Sequence, residues 1–238
     1  MIAPTSTARS SRTARGSLTS SSATFAFNST EAGSTLQCSL DGAAFTACSD
    51  PITFTGLGQG AHTLLVRAVD TAGNVDPTPA SRGWTVDTVA PDTSIVSGPG
   101  GSVNSTTATF DLASPETGVT FQCSLDGAAF AACSDPATFT GLSQGSHTFS
   151  ARAIDAAGNV DPTPVTRTWS IDTTPPDTSI VSGPSGSTTA ANATFDFASP
   201  ETGVTFECAL DGAAFAACSD PNTLTGLAEG NHALQVRA

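Results

Sequence analysis

Gly118-Val-Thr-Phe-Gln-Cys-Ser-Leu-Asp-Gly127 alternates side chains and then ends on a turn pair. Phe121, Cys123 and Leu125 fall on one face, the period-2 pattern of a half-buried strand. Asp126-Gly127 tolerates the positive φ angles that a tight hairpin demands. Working outward, Thr107-Ala-Thr-Phe-Asp-Leu112 alternates in the same way. Thr93–Ser97, Ala137–Thr140, Ser146–Asp155 and Thr166–Ile171 read as further strands. No stretch carries a 3.6-residue apolar period. Short alternating strands separated by regular turn signals, about seven in all, predict an all-β two-sheet sandwich.

The stretch recurs. Cys38, Cys123 and Cys208 are spaced by 85 residues, and so are Cys48, Cys133 and Cys218. His62, His147 and His232 keep that period, as do Arg67, Arg152 and Arg237, and Trp84 and Trp169. Residues 107–153 match 192–238 at 34 of 47 positions. A fixed period of this kind marks tandem copies of one unit. The expected boundaries are 1–90, with an irregular segment over about 1–22, then 91–175 and 176–238. The third copy lacks a counterpart of Ile154–Asp172 and with it the last strand and its Trp, which leaves an open sheet edge.

Composition alone points elsewhere. Leu, Ile, Val and Phe total 45 of 238 residues at a net charge of −13, the edge of the disordered class. The ordered repeat overrides that signal. There is no Lys, which excludes Schiff-base chemistry and a Walker-type phosphate loop. Eight Arg against 21 Asp and Glu leave no basic stripe for nucleic acid. No apolar run approaches the ~20 residues of a membrane helix, so no membrane insertion is expected.

Three strings carry a family likeness: Cys123-Ser-Leu-Asp-Gly-Ala-Ala-Phe130 running on to Cys133, Gly145-Ser-His-Thr-Phe-Ser-Ala-Arg-Ala-Ile-Asp-Ala-Ala-Gly-Asn159, and Trp169-Ser-Ile-Asp-Thr-Thr-Pro-Pro-Asp177. Together they resemble bacterial immunoglobulin-like and fibronectin type III-like repeats of large secreted or surface proteins of the adhesin type. The resemblance covers nearly all of the chain after about residue 24 and implies tandem immunoglobulin-like β-sandwiches in an extracellular setting. It is weak for activity, because such modules host many roles. Modules of the fibronectin type usually carry Tyr where this chain has His62, His147 and His232. The imidazole is therefore expected to make the tyrosine-corner hydrogen bond.

Each copy holds two Cys ten positions apart and no third. Zinc needs about four ligands at close spacing, and one His per copy does not complete the set. Local disulfides Cys38–Cys48, Cys123–Cys133 and Cys208–Cys218 are expected instead, each closing a short loop at roughly 3 kcal/mol in the chain-entropy model. They place the protein in an oxidising compartment, outside the cell or at its surface. The histidines have no neighbouring nucleophile or orienting carboxylate in the sequence pattern, so no enzymatic role is expected.

Asp70-Thr-Ala-Gly-Asn-Val-Asp76 and Asp155-Ala-Ala-Gly-Asn-Val-Asp161 gather Asp70, Asn74, Asp76, Asp155, Asn159 and Asp161 into single turns. The linkers add Asp87 with Asp92, and Asp172 with Asp177. Two readings stand. Calcium takes several hard oxygen ligands from flexible loops, and some adhesin repeats of similar type bind it between domains. Asp and Asn also bond their own backbone in strand-to-strand turns. The spacing fits no EF-hand.

The sequence thus points to a non-catalytic stalk or adhesive segment, with Pro-rich linkers that hold neighbouring copies in a preferred orientation. Its expected partners are a protein or cell-surface ligand, neighbouring repeats, or copies of the same chain. The alternatives are an immunoglobulin-like module that binds carbohydrate or protein, and a filament subunit that receives a donated strand in its incomplete third repeat.

Overall fold

The computed structural model describes residues 8–11 and 16–238. The first repeat runs through β1 (Ala8–Ser11), β2 (Ser17–Leu18), β3 (Ala23–Ser29), β4 (Thr35–Leu40), β5 (Thr46–Cys48), β6 (Ile52–Phe54), β7 (Gly60–Val69) and β8 (Ala80–Val86). The second repeats this order as β9 (Ser94–Ser97), β10 (Gly101–Val103), β11 (Ala108–Ala113), β12 (Thr120–Leu125), β13 (Ala131–Cys133), β14 (Ala137–Phe139), β15 (Gly145–Ile154) and β16 (Val165–Ile171). In each, three strands form one sheet and five the other: β1-β3-β6 with β2-β8-β7-β4-β5, and β14-β11-β9 with β10-β16-β15-β12-β13. This is the immunoglobulin-like, fibronectin type III-like sandwich.

The strand count is eight rather than about seven, and one pair in each sandwich is parallel rather than antiparallel. β10 runs parallel to β16, as β2 does to β8. Between β9 and β10 the chain crosses from one sheet to the other through Gly98-Pro99-Gly100-Gly101, and so meets the last strand running the same way. Gly98 takes φ +155° with Phe110 pressed against it, and Gly101 takes φ +68°. Gly-Ser-Val and Ala-Ala-Cys are too short to show a period, which is why β10 and β13 escape a pattern reading. Within 1–22, β1 and β2 pair as β9 and β10 do, while residues 1–7 and 12–15 lie outside the described residues.

The alternating residues meet between the sheets. Phe110 of β11 and Phe149 of β15 are fully buried and stack at 4.0 Å between ring centroids, with Trp169 of β16 at 5.2 Å from Phe110. Burying one such side chain contributes about 1.5–3 kcal/mol. The disulfides Cys38–Cys48, Cys123–Cys133 and Cys208–Cys218 have S–S distances of 2.05, 2.07 and 2.05 Å. Each joins two neighbouring strands, β12 and β13 in the second repeat.

A small motif closes each three-stranded sheet. The bonds Asp50–Pro51, Asp135–Pro136 and Asp220–Pro221 are cis. Pro has no N–H to offer the ladder, and the preceding carboxylate takes the next strand's donor instead. Asp135 Oδ1 accepts from Leu112 N at 2.9 Å, beside the register shift in β11, and Asp50 does the same for Phe27 N.

The chain divides into two compact units, 1–172 and 173–238. The second unit contains β17 (Ser179–Ser182), β18 (Ala193–Ala198), β19 (Phe206–Leu210), β20 (Ala216–Cys218), β21 (Asn222–Leu224) and β22 (Leu234–Arg237), in sheets β17-β18-β21 and β20-β19-β22. Among the described residues no helix is long and apolar enough to cross a membrane.

Candidate site at the junction of the first two repeats

The turn after β15 is built by one carboxylate. Asp155 Oδ1 accepts from Gly158 N at 2.6 Å and Asn159 N at 2.8 Å, and Oδ2 accepts from Asn159 Nδ2 at 2.7 Å. Gly158 takes φ +100°, which lets the backbone turn under that carboxylate. Burial pushes the Asp155 carboxyl upward, but the donors from Asn159, Gly158 and Ala157 outweigh it and hold the group below its ordinary range. The first repeat builds the same turn. Asp70 accepts from Ala72 N, Asn74 N and Asn74 Nδ2, and its carboxyl is likewise held low by Asn74.

Asn159 also reaches the linker. Its Nδ2 donates to the Asp87 carbonyl at 2.9 Å, while Asp87 N donates to Leu18 O at 2.9 Å. The residue that leaves β8 is thus held from both repeats. Here the carboxylates of Asp87, Glu116 and Asp155 converge, one oxygen of each lying within 4.8 Å of the others. Asp155 is buried and the other two are half-buried.

Asp87 and Asp155, expected as calcium ligands, come together, with Asn159 tying them. Glu116 joins them from the turn between β11 and β12. Its signal was Ser114-Pro-Glu-Thr-Gly118, repeated unchanged as Ser199-Pro-Glu-Thr-Gly203. Asp76 and Asp161 lie elsewhere, inside the sandwiches at 3% and 1% exposure. Asp161 Oδ1 accepts from Thr163 N and Oγ1, and Oδ2 from Thr93 Oγ1 at 2.6 Å. Both oxygens are committed to protein donors, so this carboxylate closes the sandwich. Asp92 and Asp177 are exposed, and Asp172 accepts from Gln144 Nε2 at 3.2 Å.

Each histidine bridges two acceptors. His147 Nδ1 donates to Asp126 Oδ2 at 2.8 Å and Nε2 to the Ser143 carbonyl at 2.8 Å, with Trp169 at 5.4 Å between ring centroids. His62 and His232 repeat the geometry with Asp41 and Gly58, and with Asp211 and Ala228. The bond to a carbonyl four residues upstream is the one expected of a tyrosine corner, made by imidazole. The backbone carbonyl first and the carboxylate second raise the imidazole pKa, against burial. A ring with both nitrogens donating has no lone pair left for a general base.

Neither a family model nor a curated protein matches the sequence. Solved structures do resemble it. Fibronectin(III)-like modules of Clostridium thermocellum CbhA align over 69% of this chain and 93% of theirs, at 14% identity and TM-score 0.45. The FN1–FN3 domains of chicken CNTN1 align over 97% of this chain and 91% of theirs, at 8% identity and TM-score 0.31. A bacterial ice-binding adhesin, described for retention at the host cell surface, aligns over 87% of this chain and 81% of that chain, at 12% identity and TM-score 0.37. The sheet order and the packed faces are those of immunoglobulin-like β-sandwiches.

Proposed function

We propose that this chain is a non-catalytic spacer of an extracellular or cell-surface protein, a stalk or adhesive segment whose repeats set distance and direction. The observation that carries the reading is Asn159 Nδ2, which donates both to Asp155 within its own turn and to the Asp87 carbonyl of the linker. A linker held by side-chain bonds keeps two sandwiches in one orientation, which is what a spacer requires. The disulfides support an oxidising location. The committed ring nitrogens of His62, His147 and His232 support a structural role for them.

Calcium belongs to the same proposal. Three carboxylates whose oxygens gather within 4.8 Å repel one another, and a hard divalent cation relieves that repulsion through oxygen ligands. Asp87, Glu116 and Asp155 would hold it, with Asn159 Nδ2 bonded to the Asp155 carboxylate and to the Asp87 main-chain carbonyl. The cation would supply charge neutralisation and stiffening at the linker.

Residual dipolar couplings on the full chain test the spacer reading. Couplings from the first and second repeats are expected to fit one alignment tensor, and Asn159→Ala to split them into two. Two tensors in the unaltered chain, with and without calcium, would overturn it. Thermal unfolding in calcium and then in chelator tests the cation separately. A single site at 100 times its Kd adds about 2.7 kcal/mol. No shift would remove the metal and leave the spacer.

A further inference from the structure

The five-stranded sheets of the first two repeats are free of acids. Their ten strands contain no Asp or Glu, although the chain carries a net charge of −13. One cation stands on the outer face of each, since Arg82 and Arg167 share the side of the buried Trp84 and Trp169. Arg67 of β7 and Arg152 of β15 point away from the buried Val66 and Ala151 and are half-buried. Each is held in place from two sides. Gln37 Oε1 accepts from Arg67 Nε at 2.9 Å, and Gln122 Oε1 accepts from Arg152 Nε at 2.9 Å. The two guanidiniums lie over the Phe45 and Phe130 rings, 3.9 and 4.3 Å from the centroids. Stacking and the Nε bond fix the plane of the group. Among the described residues no acceptor reaches the Nη fork of either arginine.

The third repeat shows what such an arginine takes. Glu207 stands there in place of Gln37 and Gln122, and its Oε2 accepts from Arg237 Nε at 2.8 Å and Nη2 at 2.6 Å, with Arg237 over Phe215 at 4.3 Å. The chain supplies a carboxylate in one repeat and withholds it in two. Beside Arg152 runs a row of hydroxyls. Ser150 lies opposite Thr166, Thr148 opposite Thr168 and Ser146 opposite Ser170, with Ser150 and Thr166 bonded at 3.2 Å. The row ends in a shallow hollow of about 470 Å³ lined by Ser146, Thr148, Thr168 and Ser170 among others. Six residues of β15, roughly 20 Å, separate Ser146 from Arg152. β15 is paired on both sides, by β12 and β16. No backbone edge is open to an added peptide strand on this face. A ligand here has to bring hydrogen-bonding groups of its own.

We propose that Arg152 and Arg67 bind the carboxylates of an acidic polysaccharide, a chain of uronate sugars, while the Ser and Thr row takes the sugar hydroxyls. A carboxylate set against Nη1 and Nη2 makes two parallel charge-assisted bonds. Acids elsewhere on the chain act through solvent, where exposed charges more than about 8 Å apart are largely screened at physiological ionic strength. The first repeat has Leu65 and Gly83 where the second has Ser150 and Thr168, so the second repeat holds the tighter site. This site does not rest on the junction or on the spacer reading.

The test is an NMR titration of the 238-residue chain at physiological ionic strength, with trigalacturonate as the probe and its methyl ester as the uncharged control. The Nε signals of Arg67 and Arg152 should shift and saturate, Arg152 first, while that of Arg237 stays in place. The methyl ester should bind roughly tenfold more weakly or worse. Gln122→Glu gives the second repeat the ion pair with which the third already folds. It should weaken the Arg152 site by roughly tenfold or more and leave the thermal midpoint unchanged. Thr148→Val with Thr168→Val keeps the arginine and removes two hydroxyls, and should weaken trigalacturonate but not acetate. Absence of saturable shifts, equal affinity for the ester, or an Arg152 site that survives Gln122→Glu would overturn the proposal. Acetate or a hexaglutamate peptide that binds as tightly as trigalacturonate would overturn the assignment to a polysaccharide.

Discussion

Thr93 and Asp161 lock the two sheets of the second sandwich together, with the Thr93 hydroxyl donating to Asp161 Oδ2 at 2.6 Å. The same hydroxyl oxygen accepts from Ala153 N at 2.7 Å, so one small side chain, just before β9, serves β15 and the turn beyond it. In the third repeat Thr178 likewise accepts from Ala238 N at 2.8 Å. In the first repeat the register puts Ala8 at this position, opposite Ser29, and Asp76 Oδ2 is buried without a partner.

Thr93→Val keeps the shape and removes both bonds. It strands a buried carboxylate oxygen and a backbone N–H, at a cost of about 2–4 kcal/mol. Denaturant unfolding in a Trp84→Phe background, in which Trp169 fluorescence reports the second repeat, measures the loss. An unchanged midpoint would show that the hydroxyl is dispensable.

Gly98→Ala is expected to destabilise the same sandwich. A Cβ on Gly98 would sit 2.4 Å from Phe110 Cδ1, and the residue holds φ +155°, where side chains are strained. Phe110 is fully buried between Phe149 and Trp169 and has no room to withdraw. Overpacking of this kind costs about 1–3 kcal/mol before backbone strain is added. Gly183 meets Phe195 in the same way at 2.2 Å, but Phe195 is half-buried. The matching Gly183→Ala change should therefore be milder, and equal losses in the two repeats would contradict the packing argument.

Much of this was legible because period and alternation are properties of the chain itself. Phe121, Cys123 and Leu125 announced β12, and the 85-residue period announced the copies. The parallel strand β10 was not legible, since Gly-Ser-Val has no pattern and its partner β16 lies more than 60 residues away. The junction was legible in part. Asp87 and Asp155 stood out as carboxylates in turns, but Glu116 meets them only through the folded turn after β11. Asp76 and Asp161 read only as turn residues, calcium ligands or backbone acceptors, since a sequence does not tell a solvated carboxylate from one buried against two Thr donors.

Asp135→Ala tests the motif that closes the three-stranded sheet. Leu112 is 5% exposed, and its N–H has the Asp135 carboxylate as acceptor where Pro136 follows. Removing that acceptor leaves a buried donor and costs about 1–3 kcal/mol. Asp135→Asn keeps an acceptor oxygen and should recover most of the loss. If Ala and Asn unfold at the same denaturant concentration, the bond is not what matters there.

The three histidine bridges give the chain a pH profile with a defined sign. In the folded chain each imidazole pKa is raised, by the backbone carbonyl first and the paired carboxylate second, and Asp41, Asp126 and Asp211 are held low. For Asp41 and Asp126, burial is the largest influence and pushes upward, and the bonds to His62 and Thr63, and to Thr148 and His147, outweigh it. For Asp211 the Ala233 N–H leads, followed by His232. A raised imidazole stabilises the fold fully below the unfolded value of about 6.5, and that stability is lost as pH rises through the folded value. A lowered carboxyl stabilises above about 3.9 and loses that stability as pH falls through its folded value. Thermal midpoints should therefore be highest between roughly pH 4 and 6.5 and decline on the alkaline side. Replacing His62, His147 and His232 together with Gln should flatten that alkaline decline, and proton NMR of the unaltered chain should give imidazole titrations above 6.5. Titrations at or below 6.5, or an alkaline slope that survives the triple replacement, would refute the assignment of charged imidazoles to these bridges.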